Sequence, residues 1–192
     1  MLTPSPVVED RGPGVRRVVL SGGPGAGKTT LLRELARRGH ATLGDSAREV
    51  IAERMARGLS PRPDAARFAR EILRRDIEKC TLQPGGDVVF HDRSAVESLG
   101  MLSEAGALQK AELEAHLSSL RYFETVFVLP PWPEIYRTDS ERDHSFEHAQ
   151  RVHQELVRWY GRCGYRLVEV PRLPVAQRAD HVLQCLHAAG ER

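Results

Sequence analysis

The stretch VVLSGGPGAGKTTLLRELARRGH, residues 18–40, runs from a short apolar segment through a glycine-rich turn into a lysine, two threonines and leucines at helical spacing. This pattern predicts a strand, a loop that satisfies G-x-x-x-x-G-K-S/T from Gly22 to Thr29, and a helix that ends near Gly39. In such a loop successive backbone N–H groups point inward, and the helix N-terminus adds partial positive charge. The stretch therefore predicts a binding site for a chain of phosphates.

Two side chains of this loop have specific roles in the predicted site. Lys28 would reach the β- and γ-phosphates of a nucleoside triphosphate, and the hydroxyl of Thr29 would ligate a Mg²⁺ ion that bridges them. A glycine turn that precedes a helix by chance is the alternative, but the strand, the spacing and the helix all agree. The residues expected to contact the nucleotide are Gly23, Pro24, Gly25, Ala26, Gly27, Lys28, Thr29 and Thr30.

The length of the chain favours one domain. Its 192 residues allow a sizeable core, whereas a second full domain would be cramped. We expect a flexible tail over residues 1–16, which contain prolines and charges, and a single domain over residues 17–192. The start of the chain has no apolar core of signal-peptide length, and no apolar run anywhere approaches the length of a membrane span.

The net charge narrows the range of expected partners, and the cysteine spacing narrows the range of expected metal sites and disulfides. With 28 basic and 26 acidic residues the formal net charge is only +2, so neither nucleic acid nor a membrane is an expected partner. Cys80, Cys163 and Cys185 lie far apart without C-x-x-C spacing, which argues against a zinc site and against a disulfide framework. The composition fits a protein of the reducing cytoplasm.

Apolar runs alternate with helical patterns along the chain. Buried strands are predicted at 18–21, 40–45, 87–91, 125–130 and 165–171. Helical apolar spacing follows the first strand and also covers 46–58, 64–80, 94–105, 109–120, 143–161 and 175–188. This alternation predicts an α/β fold with a parallel sheet covered on both faces, in which ligands bind at the carboxyl ends of the strands.

Asp92 and Arg93 follow the third predicted strand of the chain, in the segment VVFHDRSAVES. A carboxylate at this strand end is typical of a Walker-B aspartate, which holds Mg²⁺. This interpretation is favoured because a P-loop requires an acidic partner nearby. Arg93 would then point toward phosphate or substrate. The alternatives are that Asp92 only caps the next helix and that Arg93 forms a surface salt bridge.

Asp45 ends the second predicted strand, in LGDSAREV, at the same edge of the sheet. A carboxylate there could orient or deprotonate an acceptor hydroxyl that attacks a γ-phosphate. An N-cap of the following helix is an equally good interpretation of Asp45. Arg48, one helical turn further, would serve the same pocket or only its own helix surface.

A candidate lid spans residues 130–144, PPWPEIYRTDSERDH, which are rich in proline, charge and aromatic side chains. Arg137 and Arg142 have the spacing to flank a phosphate chain when such a loop closes, where they would stabilise the negative charge of the transition state. The alternative is a solvated helix start that places its acidic residues at the positive end of the helix dipole.

Several of these stretches together resemble one family of small P-loop proteins, ATPases or kinases related to the ribosylnicotinamide kinase domain of bacterial NAD-regulator proteins. The resemblance extends from residue 17 to residue 187. It implies a three-layer P-loop NTPase fold of the nucleotide-kinase type, a five-stranded parallel sheet in the order 2-3-1-4-5, a lid, and ATP with Mg²⁺ as ligands. The relatives often carry glutamate where this chain has Asp45. The stretches that carry the resemblance are SGGPGAGKTTLLRELARRGH, DSAREVI, HDRS, YRTDSERDHSFEHAQRVHQELV and GYRLVEVPRLPVAQRADHVL.

The leading hypothesis is an ATP-dependent phosphotransferase that moves the γ-phosphate to a small acceptor, of which a nucleoside-like molecule is one candidate. A nucleotide-switched regulatory ATPase or interaction module is the alternative from another class. A polynucleotide 5′-kinase is a weaker alternative, based on the arginines of residues 54–75. The chain contains no asparagine and therefore no N-K-x-D guanine signature, so we expect ATP rather than GTP.

Overall fold

Five parallel strands form one sheet in the computed structural model, which describes residues 14–82, 85–120, 122–136 and 145–190. Their order across the sheet is β2-β3-β1-β4-β5, which confirms the order implied by the resemblance. Residues 1–13 of the predicted tail lie outside the described residues. The strands are β1 (Arg16–Gly22), β2 (Ala41–Leu43), β3 (Val88–Asp92), β4 (Tyr122–Leu129) and β5 (Arg166–Glu169).

Helices follow the strands, as the alternating pattern predicts. A short 3-10 turn, Pro133–Ile135, lies after β4. Helix α1 ends at Arg37, two residues before Gly39, whose φ of +92° terminates the helix in the way glycine permits. The helices are α1 (Lys28–Arg37), α2 (Ser46–Ala56), α3 (Ala65–Thr81), α4 (Ala95–Glu104), α5 (Lys110–Ser119), α6 (Phe146–Arg162) and α7 (Val175–Gly190).

Strand β1 lies at the centre because it is apolar on both faces. Successive side chains of a strand point to opposite faces, so Val18 and Leu20 pack with α1 and α7, while Val19 packs with α3, α4 and α6. All three residues are fully buried. The result is the three-layer α/β arrangement that the sequence predicts.

The register of the central strands brings their carboxyl ends together. Leu20 of β1 lies opposite Asp92 of β3, and Gly22 lies opposite Leu129 of β4. The glycine loop therefore begins between the ends of β3 and β4, at the edge where parallel sheets bind ligands.

Helix α7 packs along α1 on one face of the sheet. At the end of α1, Arg38 forms an ion pair with Asp180 at 2.6 Å and donates a hydrogen bond to the carbonyl of Ala176 at 2.9 Å. Within the part of the chain that the structure describes, no helix is long and apolar enough to cross a membrane.

Candidate active site

The glycine loop between β1 and α1 is closely packed by segments that follow β4. A Cβ atom on Gly23 would lie 2.7 Å from the carbonyl oxygen of Ala149 in α6. A Cβ atom on Gly25, where φ is +74°, would lie 2.5 Å from the ring of Tyr136. Both positions exclude any larger residue, and Gly25 also needs the left-handed backbone that glycine adopts most readily.

The N-terminus of α1 has the properties of an anion site. Gly27 is the N-cap and supplies no side-chain cap, and no acidic residue lies in the first turn. Thr29 is half-buried and Thr30 is exposed in that turn. Backbone N–H groups without helical acceptors and the helix dipole both attract negative charge here. The predicted nucleotide contacts, residues 23–30, surround this helix end.

Lys28 turns back onto its own loop. Its Nζ donates hydrogen bonds to the carbonyl oxygens of Gly22 at 2.8 Å and Gly23 at 3.0 Å. Burial, together with the positive charge of Arg93, lowers the pKa of Lys28 to about 8, although the charge of Asp92 acts in the opposite direction. The charges of the predicted residues Asp92 and Arg93 therefore both act on Lys28.

Asp92 ends β3 with one carboxylate oxygen lacking a partner. The residue is only 7% exposed, and its Oδ1 has no hydrogen-bond partner among the described residues. The N-cap position of α4 belongs to Ser94, so Asp92 is not the cap of that helix. Burial raises the pKa of Asp92. A buried oxygen of this kind is suited to interact with a cation, as the Walker-B interpretation requires.

Arg93 is held between two carboxylates. Its Nη1 donates a hydrogen bond to Glu97 Oε2 at 2.6 Å, and its Nε lies 3.4 Å from Asp45 Oδ2. The φ of Arg93 is +72°, an uncommon backbone conformation for a residue with a side chain and one that is often found at functional sites. Its side chain is 24% exposed, so the pair with Glu97 is not a surface salt bridge.

Glu97 is a site residue that the sequence analysis did not identify. Its Oε1 accepts a hydrogen bond from the hydroxyl of Tyr160 at 3.0 Å, and that hydroxyl lies 2.7 Å from Ser94 Oγ. Glu97 is 7% exposed and Tyr160 is fully buried. The i, i+4 spacing from Arg93 was the signal that could have found Glu97, whereas the contact with Tyr160 in α6 has no local signal.

Asp45 is the N-cap of α2, and its second carboxylate oxygen faces the site. Its Oδ1 accepts a hydrogen bond from the backbone N–H of Ala47 at 2.8 Å, which makes it the N-cap of α2. Its Oδ2 faces Arg93 and also lies 3.9 Å from Arg48 Nε. One oxygen is thus used for helix capping, and the other lies in the site with Arg93.

The candidate lid, residues 130–144, is described only as far as Tyr136. The ring of Tyr136 packs on Gly25 and meets Phe146, the first residue of α6, edge to face at 5.4 Å. Arg137 and Arg142 lie outside the described residues, so their predicted roles beside the phosphate chain remain predictions.

The arginines at the end of α2 and along α3 are matched by glutamates. Because these ion pairs neutralise the basic surface that a nucleic-acid backbone would need, they argue against the polynucleotide alternative. The pairs are Arg54–Glu71, Arg70–Glu112, Arg74–Glu78 and Arg75–Glu53.

A family model described as an AAA domain matches residues 17–178 of the chain. The match covers the glycine loop, both strand-end aspartates and the described part of the candidate lid. No curated protein matches the sequence.

Solved structures of kinases share the fold. NadR in complex with NR superposes with a TM-score of 0.67 at 21% identity over 91% of this chain, which spans about half (51%) of the NadR chain. Deoxyadenosine kinase from M. mycoides, with dCMP and dCDP bound, gives 0.62 at 14% identity and covers 90% of this chain and 99% of its own. Shikimate kinase from Acinetobacter baumannii, in complex with shikimate, gives 0.60 at 17% identity, covering 92% and 96%.

These similarities confirm the fold class and the resemblance to NAD-regulator proteins that the sequence indicated. At such low identities the solved structures establish the P-loop kinase fold and do not identify a substrate.

Proposed function

Because the chain belongs to the AAA domain family, and its fold is that of P-loop kinases, we propose that it transfers the γ-phosphoryl group of ATP to a hydroxyl of a small acceptor. The observation that carries this proposal is the ion pair between Asp45 and Arg93 at the strand ends beside the glycine loop, at 3.4 Å. A protein that only binds nucleotide needs the loop and its lysine, but it has no need of a second carboxylate and arginine at the same strand ends.

The nucleotide side of the proposal rests on the loop, Thr29 and Asp92. Lys28 exchanges its two carbonyl partners for the β- and γ-phosphates, and the N–H groups at the start of α1 bind the same chain. The unpartnered Oδ1 of Asp92 and the hydroxyl of Thr29 fit Mg²⁺, which typically takes few protein ligands alongside phosphate and water. When bound, Mg²⁺ neutralises charge on the transferring phosphoryl group.

The acceptor side rests on Asp45, Arg93 and Glu97. Asp45 Oδ2 orients the acceptor hydroxyl and takes its proton as the oxygen attacks the γ-phosphorus, whose bond to the bridging oxygen breaks so that ADP leaves. Arg93 stabilises negative charge on the phosphoryl oxygens, and Glu97 keeps its guanidinium in position. A nucleoside is the first candidate acceptor, since NadR in complex with NR and deoxyadenosine kinase share this fold.

The experiment is a screen of nucleosides, nucleotides and small alcohols by coupled ADP release with ATP and Mg²⁺. We expect one acceptor class to raise ADP release well above the rate with water alone, with the phosphorylated acceptor identified by mass spectrometry. The Lys28→Ala variant and an excess of chelator should both abolish the signal. Slow ADP release that no acceptor stimulates would instead support the nucleotide-switched regulator.

A further inference from the structure

The hydroxyl of Tyr160 lies in the interior of the protein, where α6 packs on α4. The ring belongs to the apolar cluster on one face of the sheet, together with residues such as Leu99 and Val126, and the residue is fully buried. A phenylalanine would fill the same space without the cost of removing a hydroxyl from water. The hydroxyl therefore has a role that packing of the ring does not explain.

The hydrogen bonds around this hydroxyl run in one direction. A carboxylate oxygen only accepts, so the hydroxyl of Tyr160 is the donor to Glu97 Oε1 at 3.0 Å. Its oxygen then accepts a hydrogen bond from the hydroxyl of Ser94 at 2.7 Å. Burial and the negative charge of Glu97 raise the pKa of Tyr160 well above its usual value, which keeps the donor proton on the phenol.

Ser94 gives up its usual structural role to make this contact. It is the N-cap of α4, but its side chain makes no capping hydrogen bond. A serine at this position normally accepts a hydrogen bond from an N–H group in the first turn of its helix. Here the hydroxyl of Ser94 bonds to Tyr160, and the N–H of Ala95 donates instead to the hydroxyl of Tyr122 at 3.1 Å. Tyr122 thus serves the helix end, whereas Tyr160 serves Glu97.

Helix α6 holds Glu97 at two neighbouring points. The indole N–H of Trp159 donates to the carbonyl of Val96 at 2.7 Å, while Tyr160 binds the side chain of Glu97 itself. The other carboxylate oxygen of Glu97 accepts from Arg93 Nη1 at 2.6 Å. With one oxygen bound to α6 and the other to Arg93, the carboxylate transmits the position of α6 to the guanidinium.

We propose that Tyr160 is a positioning residue for phosphoryl transfer, which acts through Glu97 on the guanidinium of Arg93. It contacts neither nucleotide nor acceptor. By fixing the carboxylate of Glu97, it fixes the direction of the guanidinium before the reaction, so that Arg93 need not reorganise as negative charge develops on the phosphoryl oxygens. This inference rests on the proposed function, because it needs Arg93 beside the transferring group.

The test compares two ligands, ADP alone and ADP with aluminium fluoride, which is a planar mimic of the transferring phosphoryl group. Both are titrated calorimetrically with Mg²⁺, and neither requires an identified acceptor, because water can take the place of the acceptor hydroxyl. In Tyr160→Phe we expect the affinity for ADP to match the wild type. The affinity for the mimic should fall about tenfold, the scale of one hydrogen bond to a charged group. A hydroxyl that only stabilises the fold would not separate the two ligands.

Tyr122→Phe is the matched control. It also removes a buried hydroxyl near the start of α4, but this hydroxyl accepts from the backbone N–H of Ala95. We expect both variants to lower the melting temperature by a few degrees and only Tyr160→Phe to weaken binding of the mimic. In a Glu97→Gln background, Tyr160→Phe should add little further loss, since the two residues act through one contact.

Two results would overturn the inference while leaving the proposed function intact. One is a Tyr160→Phe variant that binds the mimic as tightly as the wild type does, and the other is an equal loss in Tyr122→Phe. If Tyr160→Phe does not fold, Ser94→Ala takes its place, because it removes the partner that orients the phenol without removing a helix cap. Unchanged affinity for the mimic in that variant would also overturn the inference. A wild-type protein that binds ADP no more tightly with aluminium fluoride than without it would count against the proposed function itself.

Discussion

Lys28 is bound by its own loop and contributes little to the core. Its Nζ contacts two loop carbonyls, and its burial carries a desolvation cost that lowers its pKa. We therefore expect Lys28→Ala to abolish ATP turnover while the protein keeps its fold and melting temperature within a few degrees. Circular dichroism melting and nucleotide titration check the two halves of this prediction. Undiminished turnover in the variant would exclude the loop as the nucleotide site.

Asp45 has one oxygen in the cap of α2 and one beside Arg93, and substitution by asparagine separates the two roles. Asparagine caps helices about as well as aspartate, so stability should change little. An asparagine amide does not act as a general base, so kcat for transfer should fall roughly a hundredfold or more. The affinity for ATP should remain nearly unchanged. Steady-state kinetics with the acceptor found by the screen provide the measurement.

The matched control is Asp64→Asn. Asp64 is the N-cap of α3, and its Oδ1 accepts a hydrogen bond from the N–H of Arg67 at 3.0 Å. That variant should keep full transfer activity. If Asp45→Asn also transfers within about threefold of the wild type, Asp45 is only a cap, since base assistance is rarely so small.

At this scale the sequence predicts the residues that belong to a motif and misses those that meet only in the fold. Lys28, Thr29 and Asp92 were predicted because a P-loop fixes the residue types that a phosphate chain and Mg²⁺ need. The burial of Arg178 was not predicted because its contacts, Gly27 and Trp132, are distant from it in the chain. A lone arginine in a helical pattern is far more often exposed than buried.

Helices α4 and α6 pack against each other, and each contains one glycine. We expect substitution of these two glycines by alanine to change the stability of the protein in opposite directions. A Cβ on Gly100 would lie 3.1 Å from the ring of Trp159, which is anchored by a hydrogen bond to the Val96 carbonyl at 2.7 Å. Gly161 has open space at its Cβ position. Gly161→Ala should therefore stabilise by about 0.5–1 kcal/mol through helix propensity, whereas Gly100→Ala should destabilise by crowding the ring.

Thermal melting of both variants provides the comparison, with shifts of a few degrees in opposite directions expected. A rise in melting temperature for Gly100→Ala equal to that of Gly161→Ala would show that the ring of Trp159 yields without cost. The contact between α4 and α6 would then be looser than described.

The presence and type of each strand and helix were predicted better than its end residues and its neighbours in the sheet. All five strands and all of the described helices overlap their predicted segments, because hydrophobic periodicity is a local signal. Strand ends differ by a few residues, since pairing with neighbours extends β4 back to Tyr122. The order of the strands followed from family resemblance, because periodicity alone does not determine which strands are neighbours.

Across the whole molecule, two buried groups should give opposite pH dependences of stability. Burial raises the pKa of Asp76 to about 6, so folding takes up a proton and this group stabilises the fold increasingly as pH falls from 6 toward 4. Burial, with the nearby charge of Arg17, lowers the pKa of His91 to about 4. Folding then releases a proton from His91, and the stability that this histidine contributes is lost as pH falls from 6.5 toward 4.

We expect Asp76→Asn to lose stability more steeply on acidification than the wild type and His91→Phe to lose it less steeply. Each shift of about two pKa units corresponds to a difference on the order of 3 kcal/mol between about pH 6.5 and pH 4. Urea unfolding at several pH values, with each variant compared with the wild type, isolates the two groups. Parallel curves for all three proteins would mean that neither group titrates abnormally.

The packing of α7 on α1 has a consequence for how the protein is synthesised. On the ribosome, the glycine loop and every described strand emerge before α7, so Gly27 has no Arg178 against it and the apolar cluster that Leu31 and Leu35 share with α7 stays incomplete. We expect the nascent chain to be a target for chaperones and proteases at α1 until residues 175–190 have been released.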